Sequence, residues 1–212
     1  MVRRNLSVQN INAYKYFMEQ LNARGPQKKD GYYPRIMEEI YAWERSEVED
    51  IIWDSFINNN EVELAQFLPK LEKYDGIKAL KESPYLFKIP SEQSVEIGKI
   101  LYEVTGDEGY LDLIKKNIDA FPDKISYVSM LSRCKPCPRL YNILTDIYIY
   151  NSNDVNRSTA VMGLLYNKGR IRDIDSIKEA NGVIDLCKKF ESEDVEERKK
   201  IFAMFEAGEL TV

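Results

Sequence analysis

Apolar residues recur three and four positions apart through most of this chain, and short polar breaks separate the runs. The pattern is plainest between Asn153 and Phe205. Asn153-Asp154 is a helix-start signal, Val161, Leu164 and Leu165 share one face, and Lys168-Gly169 ends the run. Such spacing predicts an amphipathic helix with one buried stripe. Ile177, Ala180, Ile184 and Cys187 predict a second helix, and Ser192 opens a third with Val195, Phe202 and Phe205 facing inward.

The earlier segments repeat the rhythm. Ser7 is placed to cap a first helix carrying Tyr14, Phe17 and Leu21, which Gly25-Pro26 closes. Pro34 suits the first turn of a second, with Ile36, Ile40 and Trp43 on its apolar side. Ser46-Glu47-Val48-Glu49 has the form of a capping box, so a third helix is expected there, burying Val48, Ile52 and Phe56. Glu61 to Leu68 restarts the helical spacing before Pro69 breaks or kinks it.

Ser83-Pro84 and Ile89-Pro90 bracket the clearest loop, because residues before proline avoid helical dihedrals. Residues 83–90 are therefore the natural place for a subdomain break within a domain spanning 1–212. Beyond it, Ile97, Ile100 and Leu101 mark one helix and Leu111, Ile114 and Ile118 the next. Pro122 opens another with Ile125, Val128 and Leu131, followed by Leu140, Ile143, Leu144 and Ile147. Ile147-Tyr148-Ile149-Tyr150 has strand propensity, but the three-four spacing leading into it favours helix.

The expected fold is all-α, with roughly ten helices of ordinary length. Connections are short, so neighbours pack as antiparallel pairs. The pairs recur every ~30–45 residues, the period range of helical solenoids. Asp154-Val155-Asn156-Arg157-Ser158-Thr159-Ala160, followed by Gly163-Leu164-Leu165, resembles a degenerate HEAT repeat. That family opens its first helix with Asp, then Val-Arg, then small and apolar residues in alternation. Asn156 stands where the valine is expected, and the alanine spacing is off by one. The resemblance implies helix pairs stacked as a short α–α superhelix, with an irregular helical bundle as the alternative. In size, charge and architecture the chain is also similar to HEAT-like bacterial immunity proteins. That similarity of class implies a non-enzymatic inhibitor of a toxin.

Composition narrows the chemistry. The 212 residues contain no histidine, which removes Ser-His-Asp and Cys-His nucleophiles and His-ligated zinc together. Three cysteines make no disulfide framework. No apolar run reaches the ~18 residues of a membrane span. Asn5, Gln9 and Asn10 stand where a signal peptide needs an apolar block, so no membrane and a cytoplasmic location are expected. The net charge of −5 is uneven: residues 1–35 carry +5, 36–112 carry −11 and 113–212 carry +1. An acidic middle opposes nucleic acid and favours a basic protein partner. It also disfavours a HEAT-like DNA-repair glycosylase, which needs a basic groove.

Two features carry candidate chemistry. Cys134-Lys135-Pro136-Cys137 resembles the Cys-x-Pro-Cys redox site of thioredoxin-like proteins, and a thiol-redox function is the alternative it implies. That site follows a strand in its family, whereas helices flank it here, and Arg133 replaces the family's preceding aromatic. The second feature is a row of carboxylates between Glu38 and Glu63, with Arg45 as the only base among them. Glu47, Asp50 and Asp54 fall three and four apart, so they share a helix face. Their spacing matches no calcium loop, and neither a metal nor a cofactor is expected. Tryptophans in helices generally pack in cores, but Trp43 and Trp53 also stand where an acidic docking strip would want aromatic anchors. Glu38, Trp43, Glu47, Asp50, Trp53 and Asp54 are the candidate partner-binding residues, and no catalytic residue is assigned.

Overall fold

The computed structural model describes residues 12–23, 32–33 and 35–210. Among these residues every regular element is helical: twelve α-helices and one 3-10 segment. The fold is all-α. The helix signals at Ser7, Gly25-Pro26 and Pro34 lie outside the described residues. No helix among those described is long and apolar enough to cross a membrane. The chain divides into two compact units, Met1–Ser83 and Pro84–Val212.

In the first unit, Asn12 caps α1 (Ala13–Asn22) by accepting the Lys15 amide at 3.1 Å. α2 (Ile36–Glu39) is a single turn that ends when Ile40 swings to extended backbone. α3 (Ala42–Asn59) then runs for 18 residues and stops at Asn60, which adopts a left-handed conformation. A 3-10 segment (Val62–Lys70) and α4 (Gly76–Lys81) complete the unit. Phe17, Tyr32 and Phe67 pack edge and face at 5.6–6.3 Å, and Val48 and Ile52 of α3 are also fully buried. Pro69 sits inside the 3-10 segment, and Leu64, Ala65, Phe67 and Leu68 are its buried positions.

The capping box expected at Ser46 is not used. α3 begins at Ala42, a turn upstream, because the chain breaks at Ile40-Tyr41 and nothing in Ala42–Arg45 interrupts a helix. Glu49 turns away from Ser46 to a buried site, and the Ser46 hydroxyl takes the Lys73 ammonium at 3.1 Å. The same break overturns Trp43 as a neighbour of Ile36 and Ile40 on one apolar face. Both isoleucines are buried, but Trp43 belongs to the next helix and is 76% exposed.

The second unit contains α5 (Glu92–Thr105), α6 (Gly109–Ala120), α7 (Ile125–Ser132), α8 (Pro138–Tyr150), α9 (Asp154–Asn167), α10 (Ile177–Gly182), α11 (Ile184–Lys188) and α12 (Val195–Glu206). α5 packs on α6, and α9 packs on both α7 and α8. Leu111, Ile114, Val128, Leu131, Leu144 and Leu164 lie at the centre of its core. Buried Asn117 joins α6 to the start of α5, accepting the Ser91 amide at 2.9 Å and donating to the Ser94 hydroxyl at 3.0 Å. The Ile147–Tyr150 stretch is helical, as its lead-in spacing predicts.

Two expectations in this unit need correction. Pro122 does not start a helix: its carbonyl accepts the side-chain amides of Asn151 and Asn156 at 3.3 and 2.6 Å, and α7 begins at Ile125. The single helix expected through Ile177 and Cys187 is two short ones, broken at Gly182-Val183. Ile177 is 79% exposed, and the buried positions are Val183, Leu186 and Phe190. Glycine at the break removes the propensity that a continuous helix required.

Asn153 and Asp194 cap α9 and α12 by accepting the amides of Asn156 and Glu197. Four residues into each helix stands a buried arginine, Arg157 and Arg198. Both guanidiniums bind the loop carbonyls just upstream of their own helix.

Candidate interaction surface

Along α3 the exposed residues Trp43, Glu47, Asp50 and Asp54 return to one side of the helix, opposite the buried Val48, Ile52 and Phe56. At the head of this line Trp43 stacks on Tyr41, with ring centroids 4.5 Å apart and planes 12° from parallel. Tyr41 is itself 54% exposed. A stacked pair this open leaves one face of the indole to water.

The carboxylates divide by their partners. Glu49 is 1% exposed and belongs to the interior. One of its oxygens takes Arg45 Nε at 3.0 Å, and the other takes the amides of Glu72 and Lys73 at 3.0 and 2.9 Å. The remaining nitrogens of Arg45 reach the carbonyls of Met37 and Lys70 at 3.0 and 2.8 Å. This buried pair pins the chain after the 3-10 segment against α3. Both charges are offset by direct partners, as burial requires.

Asp50 Oδ1 receives both the Lys73 ammonium and the Tyr74 hydroxyl. Those bonds hold the Asp50 carboxyl below the usual carboxylate range, and the same contact raises the pKa values of Lys73 and Tyr74. The Tyr74 ring in turn stacks on Trp53, 4.5 Å away and 8° from parallel. Trp53 is thus half-covered and serves this cluster. Asp54 accepts the Asn58 amide at 2.6 Å, and Glu38 pairs with Lys70 at 3.2 Å. Glu47 accepts the Tyr14 hydroxyl at 3.0 Å, a bond that raises the tyrosine pKa, and Glu47 makes no ion pair among the described residues. Glu44 has one carboxylate oxygen buried without a hydrogen-bond partner among the described residues.

Of the six candidate partner-binding residues, the structure puts Trp43, Glu47, Asp50 and Asp54 on one face. Trp53 lies to its side, and Glu38 lies in the preceding turn. Tyr41 and the neutralising Lys73 and Tyr74 complete the surface. Tyr41 stands two residues before Trp43, so its place beside the strip is a local feature of the sequence. Nothing in local spacing could pair Lys73 and Tyr74 with Asp50, because the contact spans more than a helix.

Cys134 and Cys137 are free thiols in different surroundings. Cys134 is buried, its thiol donates to the Met130 carbonyl at 3.6 Å, and burial pushes its pKa up to about 12. Cys137 caps α8, its sulfur accepting the Leu140 amide at 3.3 Å. Cys187 is half-buried 3.7 Å from the Met162 sulfur, and burial raises its thiol too. A nucleophilic thiol needs stabilisation of its thiolate, and burial does the reverse. Among the described residues no group of three or more Cys, Asp or Glu side chains is arranged to hold a metal.

Two open clefts among the described residues lie in the second unit. One of ≈ 520 Å³ lies beside Arg157, Ile184, Phe190 and Glu193. Another of ≈ 490 Å³ lies between Lys115, Pro122, Asp146 and Tyr150. Both mix charges of either sign with apolar wall. Arg157 is already engaged by the Ser152 carbonyl and Glu193 at 2.8 and 2.7 Å.

Fold and surface together define an all-α protein that presents an acidic and aromatic helix face. No protein-family model, curated protein or solved structure matches the chain.

Proposed function

We propose that this protein works without catalysis, by binding a basic protein through the exposed face of α3. The observation that carries this reading is the stacked Tyr41–Trp43 pair standing open to solvent at the head of a line of carboxylates. Large exposed aromatics anchor protein interfaces because they bury area at low entropic cost. Carboxylates around them steer a positively charged partner and set its register. An inhibitor of the immunity-protein kind, with HEAT-like stacked helix pairs behind the surface, is the specific form we favour, acting in the cytoplasm. The burial of Cys134 weighs against the thiol-redox alternative, and the −11 charge of residues 36–112 weighs against a DNA-binding glycosylase.

Affinity capture from native extract at low and moderate salt, read by mass spectrometry, tests the proposal. A basic protein should be retained near stoichiometrically by the wild type and lost with Trp43→Ala combined with Glu47→Lys. Retention of the same proteins by both forms would count against the α3 face.

A further inference from the structure

We infer that the partner is read through an arginine side chain laid on the open face of Trp43 and hydrogen-bonded to Glu47. This rests on the α3 face being the binding surface, and it adds which chemistry that face selects. Tyr41 covers one side of the indole, so a single flat site remains. Indole is the strongest side-chain platform for a cation, because its ring face is the negative end of a quadrupole. Glu47 lies one helical turn beyond Trp43 on the same side, and exposed Glu39 and half-buried Glu44 flank the pair in sequence.

A helix N-terminus on its own attracts anions, with about half a positive charge. Here Glu44 and Glu47 belong to the first two turns of α3 and exposed Glu39 precedes it by three residues, so the carboxylates around that end outweigh it. An anionic group would be repelled by them, and an apolar one would desolvate them without supplying a donor. A guanidinium satisfies both demands: its plane stacks on the ring while its edge donates to a carboxylate, which a compact ammonium cannot do as well.

The far end of the strip does not share this role. Asp50 already holds Lys73 and the Tyr74 hydroxyl, so that cluster presents no net negative charge to a partner. Asp54 also meets only a neutral donor, the Asn58 amide, but the largely exposed indole is that of Trp43, so recognition centres on Trp43 and Glu47.

Fluorescence anisotropy with three labelled ten-residue peptides at low salt provides the test: alternating arginine–serine, lysine–serine and glutamate–serine. The arginine peptide should bind tightest, the lysine peptide more weakly, and the glutamate peptide not at all. Trp43→Leu and Glu47→Gln should each weaken the arginine peptide about 3–10-fold, the range of an exposed to partly desolvated cation–π contact. The charge-conserving double variant Asp50→Asn with Lys73→Gln should stay within about twofold of wild type. Both exposed substitutions should leave the urea midpoint unchanged, so a loss of binding reports recognition and not unfolding. Wild-type affinity in Trp43→Leu, or an equal loss in the Asp50/Lys73 variant, would mean diffuse attraction to an acidic surface and would overturn the inference. Peptides that fail while capture still depends on Trp43 would sink the arginine site alone. Capture independent of Trp43 would remove the reading beneath it.

Discussion

Arg157 and Arg198 hold two loops of the second unit with the same pair of contacts. Each stands four residues past a capping side chain, Asn153 or Asp194, and its Nη1 donates to the carbonyls six and five residues back. Each also crosses to the other's neighbourhood. Arg157 Nη2 binds the Glu193 carboxylate at 2.7 Å, and Arg198 Nε binds the Ile149 carbonyl at 2.8 Å.

Removing either arginine takes a buried guanidinium's hydrogen bonds from part-buried loop carbonyls, and for Arg198 from the buried Ile149 carbonyl as well. Arg157→Met and Arg198→Met should each lower stability by ~2–4 kcal/mol, the cost of breaking a buried charged network. Because the two share the loops they serve, the double variant should depart from additivity by more than ~0.5 kcal/mol. Urea unfolding followed by circular dichroism measures all three. Losses no larger than those of a surface substitution would show the carbonyls to be solvated instead.

How much of this was legible in the sequence differs by region. The helices bearing Ile114, Leu131, Leu144 and Leu164 follow from spacing alone, because their buried faces repeat within single uninterrupted elements. Arg157 was singled out by its place after Asp154, but its partner Arg198 was not, since arginines are ordinarily surface residues and a buried one has no local mark. Ser46 and Trp43 misled for one reason. A helix boundary moved by one turn changes which residues face inward, and the break at Ile40-Tyr41 carries no Gly or Pro to announce it. The acidic strip read as one feature because sequence cannot show that Glu49 goes inside or that Lys73 returns to cover Asp50.

The Asp50 cluster should be a local pH sensor. Hydrogen bonds from Lys73 and then Tyr74 depress the Asp50 pKa. A depressed carboxyl stabilises the fold above its unfolded value of about 4, and that contribution disappears as pH falls through the lower folded value. The Tyr74–Trp53 stack should accordingly hold at neutral pH and loosen in acid. In a Trp43→Phe background the Trp53 emission should change below about pH 4, and Asp50→Asn should abolish the transition. An unchanged transition in the Asn variant would assign it to other carboxylates.

Cys134 should resist alkylation in the folded protein. At pH 7–8 its thiol, pushed up to about 12, is protonated as well as buried. Mass spectrometry after brief iodoacetamide treatment should find it modified only once denaturant unfolds the chain. Rapid native modification of Cys134 would reopen the thiol reading.

Two glycines are set by close approach. A Cβ on Gly76 would sit 2.0 Å from the Leu68 carbonyl oxygen, and one on Gly163 would sit 2.9 Å from Leu144 and Ser132. Backbone yields less readily than side chains, so Gly76→Ala should be the worse of the two. Gly163→Ala should cost ~1–3 kcal/mol, the range for overpacking a core. Thermal unfolding of both variants checks the order, and a Gly76→Ala protein as stable as wild type would contradict it.

Site-specific photo-crosslinking tests the central claim most directly. Benzoylphenylalanine placed at exposed Ala42, next to an intact Trp43, and at exposed Ile177 of the second unit as a control, would be irradiated in native extract. The account predicts one dominant adduct with a basic protein from position 42, suppressed by Glu47→Lys and absent from position 177. Equal adducts from both positions, or none from position 42 where capture still returns a partner, would contradict binding through the head of α3.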